Sequence, residues 1–595
     1  MTAPAPSMPP SSGSSFSDVL PAEIAASFFP GLGRANQDWL RSELTGLLDH
    51  WFDWRGGLFP ADACGAVQAD PEARRRLSAS LAELSEALTA EVPTHTPRYI
   101  GHMKAEVSLP SLLGWLAAML HNPNNTSREA SRVGARIEDE AVAMLAGLLG
   151  YDPARAQGHF TSGGTVANFE AVWRARYRLD HWLSLGLHLA EATGETLDVF
   201  AAAHMGWDRF RVLWRQHRLE DSVLRRSSAA AGNPAETWRR ISRASRRDYL
   251  GPVLLAPGSK HYSWQKAANI FGLGEDSLWA VALDADGRLD VADLERLLLK
   301  ARAQGRPVLM AVSVAGTTET CEIDPIDRVQ DVMERWSSHQ GLHVWSHVDA
   351  AYGGFLRGVL GGPGETALSS TAVSALKALG RADSITIDPH KLGYVPYACG
   401  AFLTRDVDRY AVSAFDAPYL DRPELGDGKW SSTLEGSRSA AGAAATWLTG
   451  RTLGFGPDGL GALLAETVRA AHEFRDLVGS RIPEVRFLEP ADDNIVCFSL
   501  GRPGERMSVA NARTARLFDA IHASPDFSVS KTTLGTGYRA LMNRHAGAFG
   551  AEIDAEHLVL VRCVFMNPYL ADPTIRTDLF HQFADRLQRM IGSEI

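Results

Sequence analysis

The stretch Ser384-Ile385-Thr386-Ile387-Asp388-Pro389-His390-Lys391 joins a short β-branched strand to a loop that ends in adjacent histidine and lysine side chains. β-branched residues favour strands. Ligands of α/β sheets bind outside the carboxyl ends of the strands, which is where this pattern places Lys391. A lysine in such a position can form a Schiff base with an aldehyde cofactor.

A second apolar strand leads into the run His347-Val348-Asp349-Ala350-Ala351-Tyr352-Gly353-Gly354. An aspartate at a strand end can pair with a protonated pyridine nitrogen, which is the arrangement that pyridoxal phosphate chemistry requires. Asp349 and Lys391 each follow a strand and precede loop residues. Together they indicate an enzyme that uses pyridoxal phosphate.

Between about residues 137 and 405, helical patterns alternate with short apolar strands. This alternation predicts an α/β fold with a mainly parallel sheet and helices on both faces. We expect strands at residues 253–256, 308–314, 343–348, 384–387 and 400–403.

The flanking regions have a different character. Amphipathic helices are expected over residues 20–92, and a glycine-rich break at 453–461 lies near the start of a helix-rich third region with strands at 495–500 and 558–565. We therefore divide the chain into a disordered tail (1–15), an N-terminal helical dimerisation segment (16–120), a large cofactor-binding domain (121–435) and an α+β C-terminal small domain (436–595).

Composition excludes several classes of protein. The chain has 595 residues, 45% of them hydrophobic, and a formal charge of −10, which argues against a nucleic-acid binder. Its five cysteines are scattered and never form CxxC, so we expect reduced thiols and no metal site. No apolar run is long enough for a membrane span, and residues 1–15 do not resemble a signal peptide. The arginine-rich segment 225–247 is interpreted as a solvated helical insertion rather than a polyanion site. We expect a cytoplasmic protein.

Three further motifs fit cofactor binding. Residues 161–168 (TSGGTVAN) precede a helix, and their small side chains let backbone N–H groups and the helix N-terminus approach a phosphate. His261 follows the strand at 253–256 and could lie over a pyridine ring. Thr317 and Thr318 follow another strand, where a hydroxyl could reach the phenolic oxygen of the cofactor, although turn chemistry explains them equally well.

These motifs resemble those of the group II pyridoxal-phosphate-dependent amino-acid decarboxylases, a fold-type-I family, and among them the bacterial tyrosine decarboxylases most. The resemblance covers the chain from about residue 97 to 568. It rests on residues 97–103 (PRYIGHM), 122–125 (NPNN), 162–168 (SGGTVAN), 260–264 (KHYSW), 388–397 (DPHKLGYVPY) and 435–437 (EGS).

The resemblance implies a fold-type-I transferase-like fold with a mainly parallel seven-stranded sheet. It also implies that Lys391 holds the cofactor, Asp349 keeps its ring nitrogen protonated, and His261 stacks on the ring as a catalytic residue. The remaining cofactor contacts would come from Gly163, Gly164, Thr165, Thr318, Ala351, Asp388 and His390. Tyr419, in a mobile loop, would protonate the carbon that CO₂ leaves, which favours simple decarboxylation over aldehyde formation.

The implied substrate is an aromatic L-amino acid (tyrosine, or phenylalanine or dopa), because Tyr99, His102 and Tyr397 resemble pocket positions of tyrosine decarboxylases. Arg132 and Arg136 depart from the family pattern, and their entry into the pocket would favour an acidic or other polar substrate. Cys563 could likewise alter the pocket wall.

Other outcomes stay open at this point. They are a pyridoxal-phosphate-dependent aldehyde synthase, lyase or aminotransferase, and a catalytically silent homologue that acts as a binding protein. Fold-type-I enzymes of this kind usually build each active site from two subunits, so the resemblance also implies a homodimer with shared active sites.

Overall fold

A computed structural model describes residues 19–58, 69–413 and 429–593 of the chain. The predicted tail at 1–15 and Tyr419 lie outside these ranges. The helices are α1 (Pro21–Phe28), α2 (Gln37–Leu58), α3 (Pro71–Leu88), α4 (Leu109–His121), α5 (Arg132–Leu149), α6 (Gly164–Thr193), α7 (Val199–Ala203), α8 (Trp207–Gln216), α9 (Asp221–Ser227), α10 (Pro234–Ser245), α11 (Ser263–Ile270), α12 (Val291–Ala303), α13 (Ile326–Gln340), α14 (Ser370–Lys377), α15 (Val407–Ala411), α16 (Ala441–Thr452), α17 (Leu460–Arg481), α18 (Met507–His522), α19 (Arg539–Gly547) and α20 (Pro573–Gly592).

Eleven strands form two sheets in the described part of the chain. They are β1 (Gln157–Thr161), β2 (Val253–Pro257), β3 (Leu278–Val281), β4 (Val308–Val314), β5 (Ser346–Asp349), β6 (Ser384–Ile387), β7 (Gly400–Thr404), β8 (Val485–Phe487), β9 (Ile495–Leu500), β10 (Ser530–Leu534) and β11 (Leu558–Val564).

The larger sheet has seven strands in the order β1-β7-β6-β5-β4-β2-β3. Strands β2 to β6 run parallel, whereas β7 is antiparallel to both β6 and β1. The expected mainly parallel seven-stranded sheet is confirmed. Because β7 separates β1 from β6, those two strands run in the same direction and end at the same edge of the sheet.

Both faces of this sheet are covered, as a parallel sheet requires. Apolar residues of α6 pack on one face against β2, β4 and β7, and α12 and α13 pack on the other face. The fully buried patterns of β2 and β4 explain why the sequence signals these strands as continuous apolar runs.

Helix α6 is anchored along its length by two buried arginines. Arg174 pairs with Glu170 and donates to the carbonyl of Tyr410 at 3.1 Å. Arg178 donates to the carbonyls of Ala203, His343 and Leu309. A buried charge is costly unless it is hydrogen-bonded, so these bonds hold α6 firmly against its neighbours. The N-terminus of α6 is thereby fixed at the carboxyl edge of the sheet.

The smaller sheet is antiparallel, in the order β10-β11-β9-β8, and packs against α17, α18 and α20. It matches the α+β character expected of the C-terminal region. Its contact with the large sheet includes a buried hydrogen bond between Tyr352 Oη and Asn494 Oδ1. The paired bonds from Arg288 to Asp492 reinforce the same contact.

The N-terminal helices α2 and α3 bury none of their residues in this chain. Large apolar side chains on both helices are exposed, namely Trp39, Leu48, Phe52, Trp54 and Leu58 on α2 and Leu77, Leu81, Leu84 and Leu88 on α3. None of the helices in the described ranges has the length and apolar character needed to cross a membrane.

Candidate active site

A cavity of about 350 Å³ lies at the carboxyl edge of the seven-stranded sheet. All ten residues predicted to hold the cofactor line it, together with Tyr397. The ten are Gly163, Gly164, Thr165, His261, Thr318, Asp349, Ala351, Asp388, His390 and Lys391. Tyr99 and His102 do not line this cavity, and neither do Arg132, Arg136 or Cys563.

Lys391 lies in the turn that follows β6. Its backbone N–H bonds the carbonyl of Asp388, and its Nζ atom lies 3.2 Å from Oδ2 of the same residue. The other carboxylate oxygen, Oδ1, is buried and has no hydrogen-bond partner in the protein. Asp388 therefore fixes the lysine with one carboxylate oxygen, while the other keeps an unused acceptor in the buried wall behind the cavity.

A cradle of glycine backbone forms one wall of the cavity. Gly163 follows β1 with φ +150°, and α6 begins at Gly164. A Cβ atom on Gly164 would lie 2.8 Å from Asp388 Oδ2, and one on Gly400 would lie 2.5 Å from the Cα of Gly163. Only glycine fits these close approaches, which leave the N-terminus of α6 open to an anion.

His390 faces this cradle in a defined protonation state. Its Nδ1 accepts a hydrogen bond of 3.0 Å from the backbone N–H of Cys399, and burial lowers its pKa. The proton of the neutral ring therefore lies on Nε2, which is 3.5 Å from Asp388 Oδ2. The ring stacks on Tyr397 with a centroid distance of 4.2 Å.

Asp349 ends β5, next to β6 in the sheet. Asn168 and Trp264 donate to its Oδ2 from 2.8 and 3.1 Å. Oδ1 accepts only a long bond of 3.4 Å from the backbone N–H of Ala351. These two donors hold the carboxylate at the wall of the cavity.

Two neighbouring threonines after β4 have different surroundings. Thr317 is buried, and its hydroxyl donates to Glu322 within the loop, so turn chemistry explains it. Thr318 lines the cavity.

The three predicted substrate residues fall into two groups. Tyr397 lines the cavity, its hydroxyl lies 3.4 Å from the carbonyl of Met103, and burial raises its pKa to about 12. Tyr99 is buried and accepts a bond of 3.3 Å from the backbone N–H of His102. The two arginines that depart from the family pattern lie on α5, where Arg132 is exposed and Arg136 is 4.0 Å from Glu140.

Arg562 is a functional candidate that the sequence reasoning missed. It is buried on β11, its Nη1 lies 3.5 Å from His102 Nδ1 and 3.3 Å from Ser530 Oγ, and its Nε has no partner. No acidic side chain in the described ranges forms an ion pair with it. A lone arginine in the otherwise apolar strand LVLVRCV was the available signal. Cys563, by contrast, packs in the core of the small sheet.

Comparison with known proteins is consistent with this geometry. Residues 242–501 match the family described as "Pyridoxal-dependent decarboxylase conserved domain". The L-tyrosine decarboxylase of Levilactobacillus brevis is 28% identical over 93% of this chain and 93% of its own length. That of Enterococcus faecium is 27% identical over 93% and 96%. The L-2,4-diaminobutyrate decarboxylase of Rhizobium meliloti is 29% identical over 69% and 67%.

Solved structures share the fold at lower identity. Rhodiola rosea 4-hydroxyphenylacetaldehyde synthase superposes with a TM-score of 0.62 at 16% identity, over 95% of this chain and 99% of that one. Catharanthus roseus tryptophan decarboxylase in complex with L-tryptophan gives 0.59 at 14% identity, over 92% and 98%. These likenesses establish the architecture.

Proposed function

Because this chain belongs to the pyridoxal-dependent decarboxylase family, we propose that it converts L-tyrosine to the corresponding amine and CO₂. The observation that carries the proposal is the meeting of Asp349 and Lys391 at the ends of neighbouring parallel strands, in one cavity with the glycine cradle. Decarboxylation of an amino acid with pyridoxal phosphate is the chemistry of the family, and the choice of tyrosine is our inference.

The residues of the cavity fit pyridoxal phosphate. The cradle of Gly163 and Gly164 at the start of α6 suits the phosphate, and the Nε2–H of His390 adds a donor. Asp349 supplies the carboxylate that a protonated pyridine nitrogen needs. Lys391 supplies the amine for a Schiff base, and Thr318 and Ala351 lie on the remaining walls.

When bound, pyridoxal phosphate accepts the electron pair that CO₂ leaves behind. The residues of the chain orient the reactants and control the protons. Asp349 would hold a proton on the ring nitrogen, and His261, which lines the same cavity, would stack on the ring. Lys391 would hold the cofactor through its amine and release it to the amine of the substrate. Tyr419, outside the described residues, is our proposed proton donor to the carbon that loses CO₂.

Two observations support an aromatic substrate. The two L-tyrosine decarboxylases noted above match nearly the whole chain. Tyr397 gives the cavity an aromatic wall with a polar end. Arg562, buried and without an ion pair, is our proposed partner for the substrate carboxylate, which every amino acid carries. Like Tyr99 and His102 beside it, it lies outside the lining of the cavity.

A decarboxylase of an acidic or other polar amino acid is the second candidate, since a relative acts on 2,4-diaminobutyrate. Its sequence argument rested on Arg132 and Arg136, and neither lines the cavity of this chain. An aldehyde synthase is the third candidate, and Tyr419 is the residue that argues against it.

We further propose a homodimer in which α3 pairs with α3 of a second copy. Its exposed leucines at 77, 81, 84 and 88 follow the spacing of a coiled-coil seam. Arg74 to Arg76 lie in the first half of α3, and Glu83 and Glu86 lie in the second. Antiparallel pairing of two copies would therefore bring opposite charges together. The four described cysteines are all free and buried, which supports a reducing, cytoplasmic location.

The function is tested with purified holoenzyme and a panel of L-amino acids: tyrosine, phenylalanine, dopa, tryptophan, aspartate, glutamate and 2,4-diaminobutyrate. CO₂, amine, ammonia and hydrogen peroxide are measured together. Equal amounts of tyramine and CO₂ from tyrosine are expected. Turnover of only a polar amino acid would overturn the substrate, ammonia with peroxide would indicate an aldehyde synthase, and no CO₂ from any substrate would refute decarboxylation.

A further inference from the structure

Asn168 is a buried amide that lines the cavity, and its two ends contact three other side chains. Its Nδ2 donates to Asp349 Oδ2 at 2.8 Å and to Ser263 Oγ at 3.0 Å, and its Oδ1 lies 3.3 Å from His347 Nε2. All four side chains are buried. Every polar atom of the amide is therefore committed, and none is free to bind substrate.

The charge of Asp349 decides which way this amide points. A carboxylate only accepts hydrogen bonds, so the NH₂ end of Asn168 must face it. The carbonyl end then faces His347, whose Nε2 must carry the proton. The other ring nitrogen of His347, Nδ1, lies 2.8 Å from Ser384 Oγ. Ser384 Oγ accepts a hydrogen bond from the indole N–H of Trp345, so its own hydroxyl proton is available for Nδ1. Nδ1 is therefore the acceptor, and Nε2 carries the proton.

The donor–acceptor direction of these hydrogen bonds also determines which nitrogen of His261 carries the proton, through Ser263. Because Ser263 Oγ accepts from Asn168, its own proton is free to bond His261 Nδ1, which is 2.9 Å away. The backbone N–H of Ser263 also points at Nδ1, from 3.2 Å. Nδ1 is therefore the bare nitrogen, and the neutral ring of His261 carries its proton on Nε2.

We propose that Asn168 and Ser263 are positioning residues that couple the charge of Asp349 to the tautomer of His261. One directed chain of hydrogen bonds thus sets two residues on different elements of the cavity, the carboxylate at the end of β5 and the histidine before α11. The inference rests on the proposed function for the use of His261 and Asp349, but the coupling itself is a property of the protein without substrate.

The coupling is measured as the pKa of His261, from deuterium exchange at its ring C2 position followed by mass spectrometry over a pH series. The charged groups that face His261 are Asp349, Lys391, Asp388 and Lys266, and all remain in the test variants. Ser263→Ala removes a donor that stabilises the neutral ring, so the pKa should rise, with a change of roughly threefold to tenfold in the protonation equilibrium.

Asn168→Leu tests the end of the hydrogen-bond series that is farther from His261, because Asn168 has no hydrogen bond to His261 itself. It should raise the pKa of His261 by less than Ser263→Ala does, and the double variant should equal Ser263→Ala alone. Trp264→Phe is the matched control, since it removes the other donor to Asp349 and leaves the side-chain hydrogen bonds of Ser263 in place. It should leave the pKa of His261 unchanged.

An unchanged pKa of His261 in Ser263→Ala, or additive effects of the two substitutions, would overturn the coupling. If Asn168→Leu does not fold, Ser263→Ala and Trp264→Phe still decide the result. The proposed function can fail independently of the coupling. If Ser263→Ala changes the pKa of His261 but the wild-type protein decarboxylates no amino acid, the coupling stands and the proposed activity is refuted. If the wild-type protein is active but Ser263→Ala leaves the pKa of His261 unchanged, the activity stands and the coupling is refuted.

Discussion

The Nζ atom of Lys391 lies 3.2 Å from Oδ2 of Asp388 across a single turn of loop. The carboxylate is buried, and its second oxygen has no partner in the protein. A buried carboxylate in this state is stabilised chiefly by the lysine and by the donors beside it, so the pair acts as a unit. The first prediction follows from this relationship.

Asp388→Asn keeps the shape of the side chain and removes its charge. A hydrogen bond to a charged group contributes about 1.5–3 kcal/mol, so we expect the dissociation constant of pyridoxal phosphate to rise at least ~10-fold. Fluorescence titration of the apoenzyme measures it. Asp585→Asn, which removes a surface partner of Arg481, is the control. Equal affinity in both variants would contradict the role of Asp388.

Gly164→Ala should fill the cradle. The added Cβ would lie 2.8 Å from Asp388 Oδ2 and 3.2 Å from the Cβ of Ala351. We expect weaker binding of the cofactor, by ~10-fold or more, since the added methyl group must displace Asp388 or Ala351, which both line the cavity. Gly537→Ala is the matched control because nothing lies within 4 Å of its added Cβ. Titration of both apoenzymes gives the answer, and a normal dissociation constant in Gly164→Ala would count against the cradle.

Arg562→Lys should raise the KM for tyrosine at least ~10-fold and change kcat less, because a lysine cannot reproduce the two-pronged contact of a guanidinium with a carboxylate. Arg486→Lys provides the comparison, since Arg486 lies on β8 of the same sheet and donates to the carbonyl of Gly501. Steady-state kinetics separate the two constants. A lowered kcat with an unchanged KM in Arg562→Lys would exclude it from carboxylate binding.

Glu322 should make the folded state more stable in acid. Burial raises its pKa from 4.5 to about 7. The native protein therefore keeps a proton that the unfolded chain loses, and the free energy of unfolding falls between pH 4.5 and about 7 and then levels off. The loss amounts to at most about 3 kcal/mol.

Glu322→Gln should therefore raise the melting temperature above pH 7 and leave it nearly unchanged at pH 4.5. Scanning calorimetry at both pH values measures the difference. Glu552→Gln, at an exposed pair with Arg506, should show no such contrast. The same increase in melting temperature for Glu322→Gln at both pH values would mean that the charge of Glu322 is not responsible.

Leu81→Glu on α3 should dissociate the proposed dimer, because the substitution places a charge in the leucine seam. Light scattering after size-exclusion chromatography reports the mass. Leu299→Glu is the control, since Leu299 is an exposed leucine of α12 outside the seam. A dimer that survives Leu81→Glu, or a monomeric wild type, would refute the pairing of α3 helices.

The strands that could be predicted from the sequence are those whose apolar residue pattern matches their burial in the structure. β4 and β6 were predicted with their observed bounds, and β2 and β7 to within a residue. The expected strand at 343–348 begins later, at Ser346. β1, β3, β8 and β10 were missed because β1 contains glycine and histidine, β3 and β8 are short and partly exposed, and β10 is polar on one face.

The cofactor residues were predictable because each follows a strand or begins a helix. These positions lie at the carboxyl edge of the sheet, and short sequence motifs identify them. Arg562 was not, because its importance lies in an absent partner, which only the packing reveals. The bonds of Asn168 to Asp349 and Ser263 escaped for a related reason: they join elements far apart in the chain.

The position of β7 between β1 and β6 has a consequence for folding. The cradle at Gly163 and the loop at Asp388 come from distant parts of the chain and meet only when β7 has paired with both neighbours. Contacts between such distant segments form slowly. The cofactor thus binds only the completed fold, and at a hundred times its dissociation constant it adds about 2.7 kcal/mol to stability. The cellular supply of pyridoxal phosphate would then determine how much of this enzyme persists as well as how much of it is active.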